Sequence, residues 1–213
     1  MLGSSMIRRL LLLTLVVFSN LTFASDELLD RLSPKLVTFL KENPTASLKF
    51  SESLKTVFDG NSFGLYYFYT KDDNLARAFH YYPEEGSVVI AVRENQPAID
   101  ELICIIFEAF NSQNEAQFKQ MADKARAGSV SKQEFVRAMT EIEFSAVRRM
   151  RDLLKTVELN ATVTKNSYYV SRFLACPDEF AEYLKYRQKI RNPERDAMRE
   201  RELLYDRLRE ESK

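Results

Sequence analysis

Glycine and proline are scarce in this chain, with 5 and 6 residues among 213. So few breakers exclude a turn-dense all-β architecture and favour long helices. Histidine is scarcer still. The single imidazole, His80, excludes any catalytic zinc centre that draws two or more ligands from histidine. No glycine pattern of the phosphate-cradling kind occurs, and no serine or cysteine sits in a nucleophile elbow or beside a usable histidine. Nucleotide-phosphate binding and nucleophilic catalysis therefore find no support. Net charge is missing as well. The 31 basic residues balance 31 acidic ones, which gives no electrostatic case for nucleic acid or anionic lipid.

Long hydrophobic runs are also rare, and the N-terminus holds the one that matters for targeting. Arg8 and Arg9 precede the apolar stretch Leu10 to Phe18, and Thr22-Phe23-Ala24 places small residues before Ser25. This is the pattern of a secretory signal cleaved near Ala24. A retained anchor is the rival reading, but the run is shorter than the roughly 20 residues that span a bilayer, and Asn20 follows it. The sequence expectation is a secreted or periplasmic protein without stable membrane insertion. Met6 is a plausible alternative start, because Met6-Ile7-Arg8-Arg9 already forms a basic lead-in. Export implies an oxidising compartment, in which Cys104 and Cys176 can pair. A loop of that length would stabilise by about 4 kcal/mol in the chain-entropy account. The plainer alternative is that Cys104 is a small buried residue.

What the chain does have is a very apolar stretch at its middle, Ala98 to Asn111. At helical spacing its polar residues Asp100, Glu101, Glu108 and Asn111 share one arc. A helix this apolar is expected to be nearly enclosed, with that strip facing a cleft or solvent. Before it, Ser33-Pro34 marks a cap and first turn for a helix over Pro34 to Glu42. Ala46 to Phe58 fits a helix and a strand about equally. Phe63 to Thr70, Ala76 to Tyr82 and Ser87 to Arg93 read as three short antiparallel strands, with a turn at Pro83-Glu84-Glu85-Gly86.

After the central stretch, Glu115 to Ala127 is an amphipathic helix stopped by Gly128. Ser131-Lys132-Gln133-Glu134 is a capping box that starts a helix reaching about Val157. Asn160 to Ser167 is a polar connector, and its Asn160-Ala161-Thr162 matches the glycosylation sequon. Tyr168 to Ala175 is short and apolar. From Asp178 to Lys213 the chain carries 10 acidic and 10 basic residues and few apolar ones. That composition predicts a solvated, ion-paired helical tail, divided at Asn192-Pro193 and dispensable for the core. The Arg148-Arg149-Arg151 run likewise reads as a solvated helix face.

The expected architecture is α+β and mostly helical: a small antiparallel three-stranded sheet beside a helical core, with a charged helical C-terminal tail. The leader covers 1–24, the α+β domain 25–175 and the tail 176–213.

Three chemistries can be tested against these residues. Asp123, Gly128 and Glu134 fall at positions 1, 6 and 12 of a calcium loop, but Ala125 and Ala127 replace the oxygen ligands needed between them. A stopped helix and a capping box explain the same residues. Paired-carboxylate chemistry would need Glu108 with Glu141 or Glu143 across two crossing helices. Surface positions or pairing with the arginine run explain these glutamates as well.

The third is metal-dependent hydrolysis. The order of aromatic strand, hairpin, proline-containing loop and apolar helix resembles the front half of a zincin-type metallopeptidase, over roughly residues 63–154. In that family the helix carries His-Glu-x-x-His, whose imidazoles hold zinc one turn apart while the glutamate acts as general base. The matching register is Phe107-Glu108-Ala109-Phe110-Asn111, and Glu141-Ile142-Glu143-Phe144-Ser145-Ala146 resembles the helix that supplies the third ligand. Both histidines are replaced. The resemblance thus implies a metal-less scaffold with no cofactor and a groove lined by Phe107, Glu108, Asn111 and Glu143. The expected role is non-catalytic binding of a protein or peptide. A hydrolase using Glu108 with Glu141 or Glu143 is the alternative, and a purely structural helical protein is the third.

Overall fold

The computed structural model describes residues 31–58, 62–69, 78–84, 87–157, 159, 163, 165, 167–189 and 197–212. The leader and its cleavage site, the Asn160-Ala161-Thr162 sequon and the Asn192-Pro193 break lie outside these residues. The described chain is α+β and mostly helical. Its elements run α1 (Pro34–Glu42), α2 (Pro44–Phe58), β1 (Ser62–Phe68), β2 (Ala78–Tyr81), β3 (Ser87–Arg93), α3 (Ala98–Ser112), α4 (Glu115–Arg126), α5 (Lys132–Thr156), α6 (Tyr168–Leu174), α7 (Phe180–Lys189) and α8 (Ala197–Glu210). Among the described residues no helix is long and apolar enough to cross a membrane.

The capping chemistry of the sequence is realised. The Ser33 hydroxyl accepts from the Leu36 amide, with Pro34 in the first turn of α1. Ser131 and Glu134 form a reciprocal capping box at the start of α5: Ser131 Oγ accepts from the Glu134 amide at 3.2 Å, and Glu134 accepts from the Ser131 amide at 2.8 Å. This box employs the carboxylate that a calcium loop would need, while Asp123 lies inside α4 and pairs with Arg126 at 2.8 Å. Both residues thus serve the stopped helix and the capping box expected of them. The ambiguous stretch before the sheet is helical, because Ala46, Phe50, Leu54 and Val57 recur at helical spacing and all reach the core.

The sheet departs from the expected all-antiparallel pairing. Its order is β1-β3-β2; β1 runs parallel to β3, and only β2 is antiparallel to it. The physical reason lies in β3. Val88, Val89, Ile90, Ala91 and Val92 are all buried, so this strand must be covered on both faces and takes the central place. Val88, Ile90 and Val92 join the main core, which α3 shares. On the other face, Gly64 of β1 lets Val89 approach: a Cβ on Gly64 would stand 3.0 Å from Val89 Cγ2. Phe68 and Phe79 meet over the same side with ring centres 5.6 Å apart.

Helix α3 is the hub. It packs on β2, β3, α1, α2, α5 and α6, and eleven of its fifteen residues are buried. A second, smaller core lies away from the sheet, where Ala125 of α4, Phe135, Val136 and Met139 of α5 and Leu208 of α8 pack together.

The tail is a correction to the sequence reading. Tyr183 of α7 is buried in the main core, stacked on Phe144 at 4.6 Å, and Leu208 of α8 is buried in the second. A segment with few apolar residues still sends one into each core, although Leu203 stays exposed. The arginine run is corrected as well. Arg151 is buried, donating to the Cys176 carbonyl at 3.1 Å and pairing with Asp178 at 2.5 Å, so it ties the start of the tail to α5. Arg148 is exposed, and Arg149 lies over the Phe110 ring at 4.1 Å.

Candidate functional site

None of the polar strip of α3 faces open water. Asp100, Glu101 and Asn111 are buried, and Glu108 is 14% exposed. A charge removed from water must find a partner, and each acid of the strip has one from a different element. The Ser167 hydroxyl, at the start of α6, donates to Asp100. Glu101, fully buried, accepts from Ser33 Oγ at 2.7 Å and from the Tyr67 hydroxyl at 2.8 Å, and Lys35 Nζ stands 3.0 Å from its other oxygen. Burial, and then the bond to Glu101, push the Tyr67 hydroxyl up. Three segments thus converge on one carboxylate: the cap of α1, the inner face of β1 and the first turn of α3.

Glu108 faces β2. His80 Nδ1 is 2.7 Å from its carboxylate, and the two side chains are 16% and 14% exposed. Next to this pair the Tyr82 hydroxyl donates to the Ser112 carbonyl at 2.7 Å. Burial raises the Glu108 carboxyl above its usual range; the hydrogen bond and charge of His80 oppose this, while the charge of Glu143 adds to it. Tyr82 is also pushed up, by burial and by the charges of Glu115 and Glu108.

The other candidates divide. Phe107 does not line an open groove: its ring packs on Phe173 of α6 at 5.2 Å. Asn111 is buried and its carbonyl oxygen accepts no hydrogen bond. Glu143 is paired with Arg201 of α8, whose guanidinium also donates to Thr140 Oγ1 at 2.7 Å. The charge of Glu143 also reaches Glu108, whereas Glu141 is exposed on α5. Among the described residues no three His, Cys, Asp or Glu side chains come together as metal ligands. Cys104 and Cys176 are both buried and are not joined to one another. Cys104 donates to Gln96 Oε1 at 3.7 Å and Cys176 to the Arg172 carbonyl at 3.3 Å; burial raises the Cys176 thiol.

The chain matches no family model, no curated protein and no solved structure.

The sequence reading missed His80, Ser33, Lys35, Tyr67 and Arg201 as partners of these acids. Two carried a signal. Tyr67 shares the strand parity of Leu65 and His80 that of Ala78, and Leu65 and Ala78 both pack on the core. A polar side chain at an inward strand position needs a buried partner, and α3 holds the acids. Ser33 was legible only as a cap, and Lys35 and Arg201 carried no local signal.

Proposed function

We propose that this chain is an exported, non-catalytic binding protein on a metal-less zincin-like scaffold, with a protein or peptide as partner. The observation that carries the reading is the His80–Glu108 pair at 2.7 Å. The glutamate that stands at the general-base register of α3 is engaged by the one histidine of the chain, and that histidine comes from a strand rather than from the next turn of the helix. The neighbouring register positions hold Phe107, packed into an aromatic contact, and Asn111. Supporting the scaffold half of the reading, the three strands precede α3, and Glu143 of α5 acts electrostatically on Glu108.

Converting the register tests this. Phe107→His with Asn111→His would place two imidazoles one turn apart beside Glu143. On a zincin-like scaffold the double variant gains zinc affinity, and its melting temperature rises with added zinc through mass action. The native protein, by elemental analysis after dialysis, should carry no stoichiometric zinc. A folded double variant whose melting ignores zinc would remove the zincin half of the proposal.

The raised Glu108 carboxyl and its sensitivity to Glu143 favour one second reading, a hydrolase with these two as an acid–base pair. Any turnover lost in Glu108→Gln but kept in Glu141→Gln would establish it over the binding role.

A further inference from the structure

We propose that the groove between α4 and α5 is a docking site for an amphipathic helix of defined chemistry, and that α8 is its displaceable resident. The inference names a partner class for the binding role and moves it off the central helix. Glu143 touches both regions, pairing with Arg201 while its charge acts on Glu108.

The groove is specified residue by residue by what α8 puts into it. Its floor is apolar: Ala125, Phe135, Val136 and Met139, which take Leu208, with Met198, Leu204 and Tyr205 packed at the margin. Tyr205 meets the Phe135 ring at 5.5 Å and donates to the Val130 carbonyl at 2.9 Å. Around this floor are three charge-selective contacts. Thr140 and Glu143 of α5 receive the Arg201 guanidinium. Lys132, at the start of α5, pairs with Asp206 at 2.6 Å. The C-terminal end of α4, where helix carbonyls lack partners and the dipole favours a cation, receives Arg209, which donates to the Arg126 carbonyl at 2.9 Å.

Gly128 completes this last contact. Its φ of +70° already favours glycine, and a Cβ there would lie 2.7 Å from the Arg209 guanidinium. The recognised pattern is therefore Arg, an apolar–aromatic pair three and four residues on, Asp at five, Leu at seven and Arg at eight. Charge complementarity fixes both register and direction of the incoming helix.

The same contacts explain why the resident can leave. Of the described α8 side chains only Arg201 and Leu208 are buried, and Leu203 is 56% exposed. Lys132 and Asp206 are each nearly half exposed. Apart from the buried Arg201, alignment here comes from half-exposed charge, which is salt-sensitive, more than from buried apolar area. Covalent attachment supplies the rest, since a tethered helix competes at millimolar effective concentration.

The test uses the full chain and a fluorescent peptide of residues 197–212. Wild-type protein should not bind the peptide, because its own α8 holds the groove. The double variant Arg201→Gln, Arg209→Gln weakens the resident; it should bind the wild-type-sequence peptide saturably and at least tenfold more tightly than the wild type does. That binding should weaken with added NaCl and vanish for a peptide carrying the same two substitutions. Unchanged amide protection in α3 checks the fold. If the double variant fails to fold, a full chain with a protease site placed within residues 190–196 decides: after cleavage, added peptide should exchange with the bound α8 fragment. No binding in the folded double variant, no exchange in the cleaved chain, or equal binding of the substituted peptide would overturn the proposal. A concentration-dependent wild-type dimer that protects α8 in trans would overturn it in favour of exchange between copies. Failure here leaves the zinc-binding test standing, and failure there leaves this one.

Discussion

Helices α3 and α8 are nearly equal in length, at 15 and 14 residues, and they use charge in opposite ways. On α3 each acid is enclosed and bound to a partner delivered by a distant segment: Ser167 for Asp100, Ser33 and Tyr67 for Glu101, His80 for Glu108. On α8 one charge, Arg201, is buried against Thr140 and Glu143, and the others form a rim around the buried Leu208. An enclosed acid is paid for by every element that must stay in place to satisfy it, so its loss is felt by the whole domain. A rim of charges aligns one element and can be undone locally. The difference teaches that a roughly even count of ion pairs along a chain says little about stability until burial is known.

The sharpest way to break this comparison is Glu101→Ala. It strands Tyr67, Ser33 and Lys35 together, and should cost about 3 kcal/mol, lowering Tm by about 6–12 °C for a domain of this size. Urea unfolding and calorimetry measure both; a loss below about 1 kcal/mol would show that this carboxylate does not tie α1, β1 and α3 together.

Next in size is the pH dependence carried by Glu108. Its carboxyl is raised in the folded state from the ordinary 4.5, so the folded protein holds this proton more tightly than the unfolded chain. Its contribution to stability is present below that ordinary value and is lost as pH rises through the raised one. Stability of the wild type relative to Glu108→Gln should therefore fall as pH rises from about 4.5. Urea titrations from pH 4 to 7 give this difference directly, and a flat or rising difference contradicts the burial of this group.

Smallest on the global scale is Arg201→Gln. It should lower amide-exchange protection in α8 by about 1 kcal/mol and leave α3 unchanged. Equal losses in both helices would mean that the two regions unfold as one and erase the contrast.

How much of this was legible depended on whether the signal was local. The α1 cap at Ser33-Pro34, the capping box at Ser131, the stop at Gly128 and the central helix could all be read from neighbouring residues, and they stand within a residue or two of where the pattern put them. The run Val88 to Val92 carries the information that β3 is covered on both faces, but nothing local says that β1 pairs with it in parallel. The partners of the acids were the least accessible. Ser33 and Glu101 are 68 residues apart, Arg201 and Thr140 61; no short window contains both. The tail was judged by average composition, which conceals single residues such as Tyr183 and Leu208.

The parallel pairing of β1 with β3 also has a bearing on how the chain is made. Ser62 is matched to Ser87, so β1 leaves the ribosome ahead of the strand that must receive it, and the hairpin partner β2 lies between them. During that interval β1 presents Leu65, Tyr66, Tyr67 and Phe68 on an unpaired strand, a sequence suited to sticking to other chains. Tyr67 can meet Glu101 only once α3 has been made, so synthesis slowed after β1 has emerged and before α3 is complete should raise aggregation of the nascent protein more than a pause anywhere in α8.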